Sequence, residues 1–371
     1  MFVHTRATFR VSVLGGRNLR IAPGTLVVAT HRTDDDVPIF CGALFSRWLW
    51  RFGRQPHYAA RDDLFERGAL VGMAPGLPEP ISRLLWRVSP EAGLRRVKVH
   101  PLRIEAPCVV QVVRAADPST PLEDLLPAVA VDALRARADA LGVGSVRSAG
   151  DAMRRELADV LWRPLSPDDA DPHHLRRFRA ARSRAGATDL RHLMGFLGAG
   201  EPLLLFPEGG LSVDGSIGPL RPGAAMLVRR ARPRSVIPVA LAYDTLVTGR
   251  RRVVLSVGPA VGIEPGHEDR DILGALRRGM PLTCGQVVAR EVLRRAGSGL
   301  PQREELERAV IDEVRRARRE RRPVDPDLAR PASRQRRIAD ALAALAALAA
   351  VPGDQTVRRL AREYDSARES D

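Results

Sequence analysis

Thr25-Leu26-Val27-Val28-Ala29-Thr30-His31-Arg32-Thr33-Asp34-Asp35-Asp36 decides how the chain is read, because an unbroken apolar run gives way within it to a cluster of carboxylates. Pro23-Gly24 leads into the run, whose hydrophobicity is that of a strand buried on both faces. Beyond His31, the aspartates and Pro38 make a helix start: carboxylates favour the positive end of the helix dipole, and proline is tolerated in the first turn. His31 therefore stands where strand gives way to helix. Asp36 follows at a spacing that lets a carboxylate in the first helical turn reach back and orient a loop imidazole.

Working outward, Thr8 to Leu14 alternates as a strand before the Gly15-Gly16-Arg17-Asn18 turn. After Pro38, Phe40, Leu44, Phe45, Trp48, Leu49 and Phe52 share a helical face. Trp48 and Trp50 with Arg47, Arg51 and Arg54 suit either a membrane interface or a packed core helix. Pro56 to Leu64 reads as a short strand and turn, Ile81 to Val88 as a helix end or an interfacial patch, and Arg95 to Val113 as one or two strands. Asp117 to Pro172 changes to helical Ala, Leu, Arg and Asp text, and a helix is expected near Asp189 to Leu197. Pro202 to Phe206, Val236 to Ala242 and Arg252 to Val257 are further strands. Alternating strands and helices predict an α/β protein: a mixed sheet flanked by helices, with a helical insertion and a helical C-terminal appendage. The expected division is a main domain over 1–285, interrupted at about 115–175, and a basic helical region over 286–371.

Bulk properties narrow the function classes. The chain has 371 residues, 59 Lys plus Arg against 44 Asp plus Glu, and a net charge of +15, which favours an anionic partner: nucleic acid, an anionic membrane or an acidic carrier. Aromatics at 4% and the lack of a recognition module argue against nucleic acid. Cys41, Cys108 and Cys284 are widely spaced, so no disulfide framework or zinc site is expected, and a reducing, cytoplasmic compartment fits. Met1-Phe2-Val3-His4-Thr5-Arg6 lacks the order of a signal peptide, and no stretch reaches the ~18 apolar residues of a spanning helix. Any membrane association is expected to be peripheral, on the cytoplasmic face.

A His followed by an Asp at this spacing occurs twice, at His31/Asp36 and His57/Asp62. Context separates them: His57 follows the polar Arg54-Gln55-Pro56 and heads into a strand, which suits a structural histidine. The stretch Arg17-Asn18-Leu19 through Asp36 resembles the first block of the glycerophospholipid acyltransferase family, which contains the 1-acyl-glycerol-3-phosphate acyltransferases: an apolar strand leading into His-x4-Asp. Phe206-Pro207-Glu208-Gly209-Gly210-Leu211-Ser212 is similar to the family's Phe-Pro-Glu-Gly-Thr-Arg-Ser. Gly218-Pro219-Leu220-Arg221-Pro222-Gly223 resembles its continuation, and Val236-Ile237-Pro238-Val239-Ala240 its proline-containing strand.

The resemblance implies a glycerolipid acyltransferase-like fold and a mechanism. His31, oriented by Asp36, would take the proton of an acceptor hydroxyl as that oxygen attacks the thioester carbonyl of acyl-CoA or acyl-carrier protein. Glu208, with Pro207 and Gly209 shaping its turn, would bind acceptor hydroxyls; no metal or redox cofactor is implied. Gly210-Leu211 departs from the family's Thr-Arg, so a phosphate-binding group is missing there, and Arg221 is the candidate substitute. The family's remaining acceptor-binding arginine would fall between Arg176 and Arg184, with Arg179 and Arg182 best placed. Two other readings remain open: a catalytically impaired lipid- or partner-binding member, and a basic nucleic-acid-binding protein.

Overall fold

The computed structural model describes residues 8–33, 35–40, 42–43, 55–73, 78–103, 107–163, 165, 172–212, 214–295, 300–347 and 355–368. Cys41, Leu44, Phe45, Arg47, Trp48, Leu49, Trp50, Arg51, Phe52 and Arg54 lie outside them. The described strands are β1 (Phe9–Leu14), β2 (Thr25–Ala29), β3 (His57–Arg61), β4 (Val99–Leu102), β5 (Leu203–Leu205), β6 (Ser235–Asp244) and β7 (Arg251–Val257). The chain divides into two compact units, one from Met1–Pro56 with Met194–Asp371 and one from His57–Leu193.

The first unit is built on a mixed sheet in the order β1-β7-β6-β2-β5. β2 runs parallel to β5 and β6, β1 runs parallel to β7, and β6 and β7 are antiparallel. Every residue of β2 is buried, as its continuous apolar text predicts for a central strand covered on both faces. Proline inside such a strand needs local accommodation because it cannot donate to the ladder. Pro238 in β6 has it: the neighbouring Gly258 carries no side chain, and a Cβ there would lie 2.8 Å from the proline ring.

The helices Cys284–Arg294, Arg303–Arg319, Pro331–Ala347 and Gln355–Ser366 belong to this unit and share a core of Val287, Val288, Leu306, Val310, Leu345, Leu360 and Tyr364. The basic text of this region conceals buried ion pairs. Arg252 of β7 donates from Nε to Asp325 Oδ2 at 2.5 Å, both side chains being nearly inaccessible. Arg337 binds Asp244 at the end of β6 at 2.8 Å.

In the second unit β3 and β4 form a parallel pair. Its core gathers Val109, Val110, Val113, Leu122, Leu134, Leu157, Leu161 and Trp162. Two expectations change here. Among the described residues of the stretch Arg95 to Val113, only Val99–Leu102 is strand, and Val109–Ala115 is a helix. Its β-branched run is a poor local helix former, but Cys108 and Gln111 close a capping box and the valines are buried, so tertiary packing overrides propensity. The helix expected near Asp189 runs from Pro172 to Gly198, because its Arg- and Ala-rich first half is composed of good helix formers with few apolar markers. Among the described residues, no helix is long and apolar enough to cross a membrane.

Candidate active site

Thr30 carries the β2–β6 pairing one residue beyond the strand: its N–H donates to the Val239 carbonyl at 3.1 Å and its Oγ1 accepts from the Leu241 N–H at 3.0 Å. The next residue, His31, is thereby delivered to the carboxyl end of a central parallel strand, where open α/β sheets place their ligands. The imidazole Nδ1 lies 2.9 Å from Asp36 Oδ2. The same oxygen accepts from the backbone N–H of Arg32 at 2.5 Å and of Thr33 at 3.1 Å. Asp36 Oδ1 accepts from the Tyr243 hydroxyl at 2.5 Å.

Asp36 is fully buried, and these donors replace the water it has lost. A carboxylate that accepts on both oxygens assigns the hydrogen of the facing imidazole nitrogen to Nδ1. The lone pair then sits on Nε2, which has no hydrogen-bond partner among the described residues. Burial, and after it the negative charge and hydrogen bond of Asp36, push the Tyr243 hydroxyl well above the usual phenol range, so it remains a donor. Tyr243 was not anticipated from sequence; the signal available was a tyrosine on an apolar strand, whose hydroxyl needs a partner once buried.

β5 delivers the second segment beside the first. Phe206 stacks on His31, with ring centroids 4.3 Å apart. Glu208 is buried; its Oε1 accepts from the backbone N–H of His31 at 2.9 Å and its Oε2 from that of Gly218 at 3.4 Å. Burial pushes its carboxyl up, with Arg32 pulling the other way. Each carboxylate oxygen keeps acceptor capacity for a further hydroxyl. The turn is pinned by the Arg221 N–H on the Pro207 carbonyl at 2.8 Å. Arg221 itself is exposed and forms no ion pair among the described residues. With Glu208, Gly210, Ser212 and Ser216 it lines a cavity of about 420 Å³.

The remaining candidates lie in the second unit. Arg182 is buried and donates twice to Asp62, at 2.6 and 3.0 Å. Arg179 is on the same helix, its side chain outside those described. His57 faces His100 at 2.8 Å rather than Asp62. Burial, and after it the charge of His57, pushes the His100 imidazole down to about 4. A larger cavity of about 730 Å³, lined among others by Phe65, Arg67, Trp86, Arg87 and Arg103, also lies in this unit and holds none of the sequence-predicted site residues.

An imidazole oriented by a buried carboxylate, with its backbone amide held by a glutamate that lines a cavity, has the parts for removing a proton from a hydroxyl. Residues 159–242, which include Glu208 and Arg221, match the family model described as Acyltransferase. Over that segment the chain is similar to the acyltransferase family. Comparison with curated proteins gives no match. Among solved structures, the 1-acyl-sn-glycerophosphate (LPA) acyltransferase PlsC from Thermotoga maritima is similar at a TM-score of 0.33 and 14% identity, covering 72% of this chain and 68% of that one.

The Glu208 turn has one position that only glycine suits. Gly209 has a φ of +67°, and a Cβ on it would lie 2.6 Å from Arg221 Cγ, whereas a Cβ on Gly210 meets no atom within 4 Å among the described residues. Gly209→Ala is expected to cost about 1–2 kcal/mol through backbone strain, with displacement of Arg221 in addition. Thermal melts of the two alanine variants should show a lowered midpoint for Gly209→Ala and little change for Gly210→Ala.

Proposed function

We propose that this protein is an acyltransferase that moves a fatty acyl group from acyl-CoA or acyl-carrier protein to a hydroxyl of a lysophospholipid-like alcohol. The supporting observation is the orientation of His31: Nδ1 is committed to Asp36, leaving Nε2 as the basic nitrogen. The acceptor hydroxyl gives its proton to Nε2 as its oxygen attacks the thioester carbonyl; the tetrahedral intermediate collapses, the carbon–sulfur bond breaks, and the thiolate takes the proton back from the imidazolium. A thioester is already activated, so alignment of the hydroxyl and stabilisation of the oxyanion are the main tasks, and no covalent acyl-enzyme or cofactor enters the reaction. Glu208 holds His31 in place and offers its free acceptor capacity to the acceptor's hydroxyls. Arg221 takes the acceptor's anionic group.

We further place the protein at the cytoplasmic face of an anionic membrane. Its support is the helix Glu79–Arg87 and the residue after it: Ile81, Leu84 and Val88 fall at helical spacing and are 47%, 64% and 39% exposed, alongside Arg83 and the exposed Arg87. An apolar stripe flanked by arginines on a chain of net charge +15 complements an anionic bilayer surface rather than nucleic acid.

Mass spectrometry of lipids after incubation with mixed acyl-CoAs and lysolipids tests the reaction. The wild type should form diacyl product, and His31→Ala should lower the rate about a thousandfold. Equal rates would remove the enzyme reading and leave a lipid- or partner-binding role. In sedimentation with vesicles, binding should require anionic lipid, weaken at high salt, and fall several-fold in Leu84→Glu; unchanged binding by that variant would reject this face.

A further inference from the structure

Arg32, next to the proposed base, is the point on which several independent contacts converge. Its backbone N–H donates to Asp36 Oδ2. Its carbonyl accepts from Arg359 Nη2 at 2.6 Å. Its guanidinium, 2% exposed as a residue, donates from Nη1 to the carbonyls of Gly215 and Ser216 at 2.8 and 2.9 Å. The residue after His31 thus joins the dyad, the loop that follows Glu208 and the helix Gln355–Ser366.

That helix also touches the Glu208 loop directly. Gly215 has a φ of +89°, and a Cβ there would lie 2.3 Å from the Arg359 carbonyl oxygen, so helix and loop meet backbone to backbone. The Ile217 N–H donates to Ser366 Oγ at 2.8 Å, and Arg362 lies 3.8 Å from Asp214. The neighbouring Gly218 N–H is a donor to Glu208, and the Ser212 N–H donates to the His31 carbonyl at 3.1 Å. The helix is seated by Val357, Leu360, Ala361 and Tyr364 in the helical core. Glu363, 4% exposed, faces Arg32, Arg359 and Gln286, with Asp244 also acting on it; burial pushes its carboxyl up to about 7.

We propose that the helix Gln355–Ser366 is a positioning element of the active site, in which Arg359 and Ser366 hold the Arg32 carbonyl and the Ile217 amide and thereby set the His31–Asp36 pair against the Glu208 loop. A helix retained only for stability could grip the core through its apolar face alone. This one places polar groups on the two loops that carry the proposed chemistry, and a steric exclusion at Gly215 makes its seat specific. None of these residues reaches the cavity lining, so their effect runs through His31 and Glu208. The role in turnover rests on the proposed acyl transfer, whereas the role in placing His31 does not.

The test uses the full chain with Arg359→Ala, Arg359→Lys and Ser366→Ala. Two readouts are taken: steady-state transfer from acyl-CoA to lysolipid, and the proton NMR signal of the His31 Nδ1–H bonded to Asp36. In Arg359→Ala, kcat should fall about tenfold or more while KM stays within about twofold, as expected for misplacement of reacting groups. The Nδ1–H signal should shift or broaden, and lysine, which can still donate to the Arg32 carbonyl, should restore most of both. Ser366→Ala should show a smaller change in the same direction, and decides the matter if Arg359→Ala does not fold. Wild-type kcat and an unmoved signal in the folded variants would overturn the proposal. A wild type without transferase activity would instead defeat the functional reading, and the NMR signal would still judge the positioning.

Discussion

The whole site depends on one buried carboxylate. Asp36 is inaccessible to water, and a charge in that position survives only if protein donors take the place of solvent. The donors come from His31, the backbone of Arg32 and Thr33, and Tyr243 on β6. Satisfying Asp36 therefore fixes the chain path out of β2, the orientation of the imidazole and the register of β6 against β2. Stability and chemistry are joined at this group: removing its charge strands donors and frees the ring together.

The parallel pairing of β2 with β5 supplies the second half of the site. Parallel neighbours end at the same edge of a sheet, so His31, two residues beyond β2, and the segment after β5 are brought together whatever their separation in sequence. Phe206 packs on the His31 ring, and Glu208 holds its backbone amide. The glutamate is thus tied to His31 as well as to the cavity. This double duty explains a buried carboxyl at a turn, where an ordinary surface residue would serve if only a turn were needed.

Local pattern made some of this legible. The apolar runs of β2, β6 and β7 marked buried strands, and the strand-to-helix setting of His31 distinguished it from His57, which faces another histidine. What was not legible falls into two kinds. Val109–Ala115 and the first half of Pro172–Gly198 lack the expected local signature, one because β-branched residues are held in a helix by packing, the other because few apolar residues mark its face. The partnerships of Tyr243 with Asp36 and of Arg359 with Arg32 join residues 207 and 327 positions apart, and no short-range periodicity records such contacts. In the arginine-rich tail, composition cannot tell Arg337, paired inside the fold, from its exposed neighbours.

The central claim is that Asp36 fixes the tautomer of His31 and leaves Nε2 as the base. Nitrogen-15 chemical shifts of the His31 ring, measured on the full chain at mildly alkaline pH, address it most directly. The account predicts a protonated Nδ1 and an unprotonated Nε2, with that preference lost in Asp36→Asn. A proton on Nε2 in the wild type, or the same tautomer with and without the Asp36 charge, would contradict it.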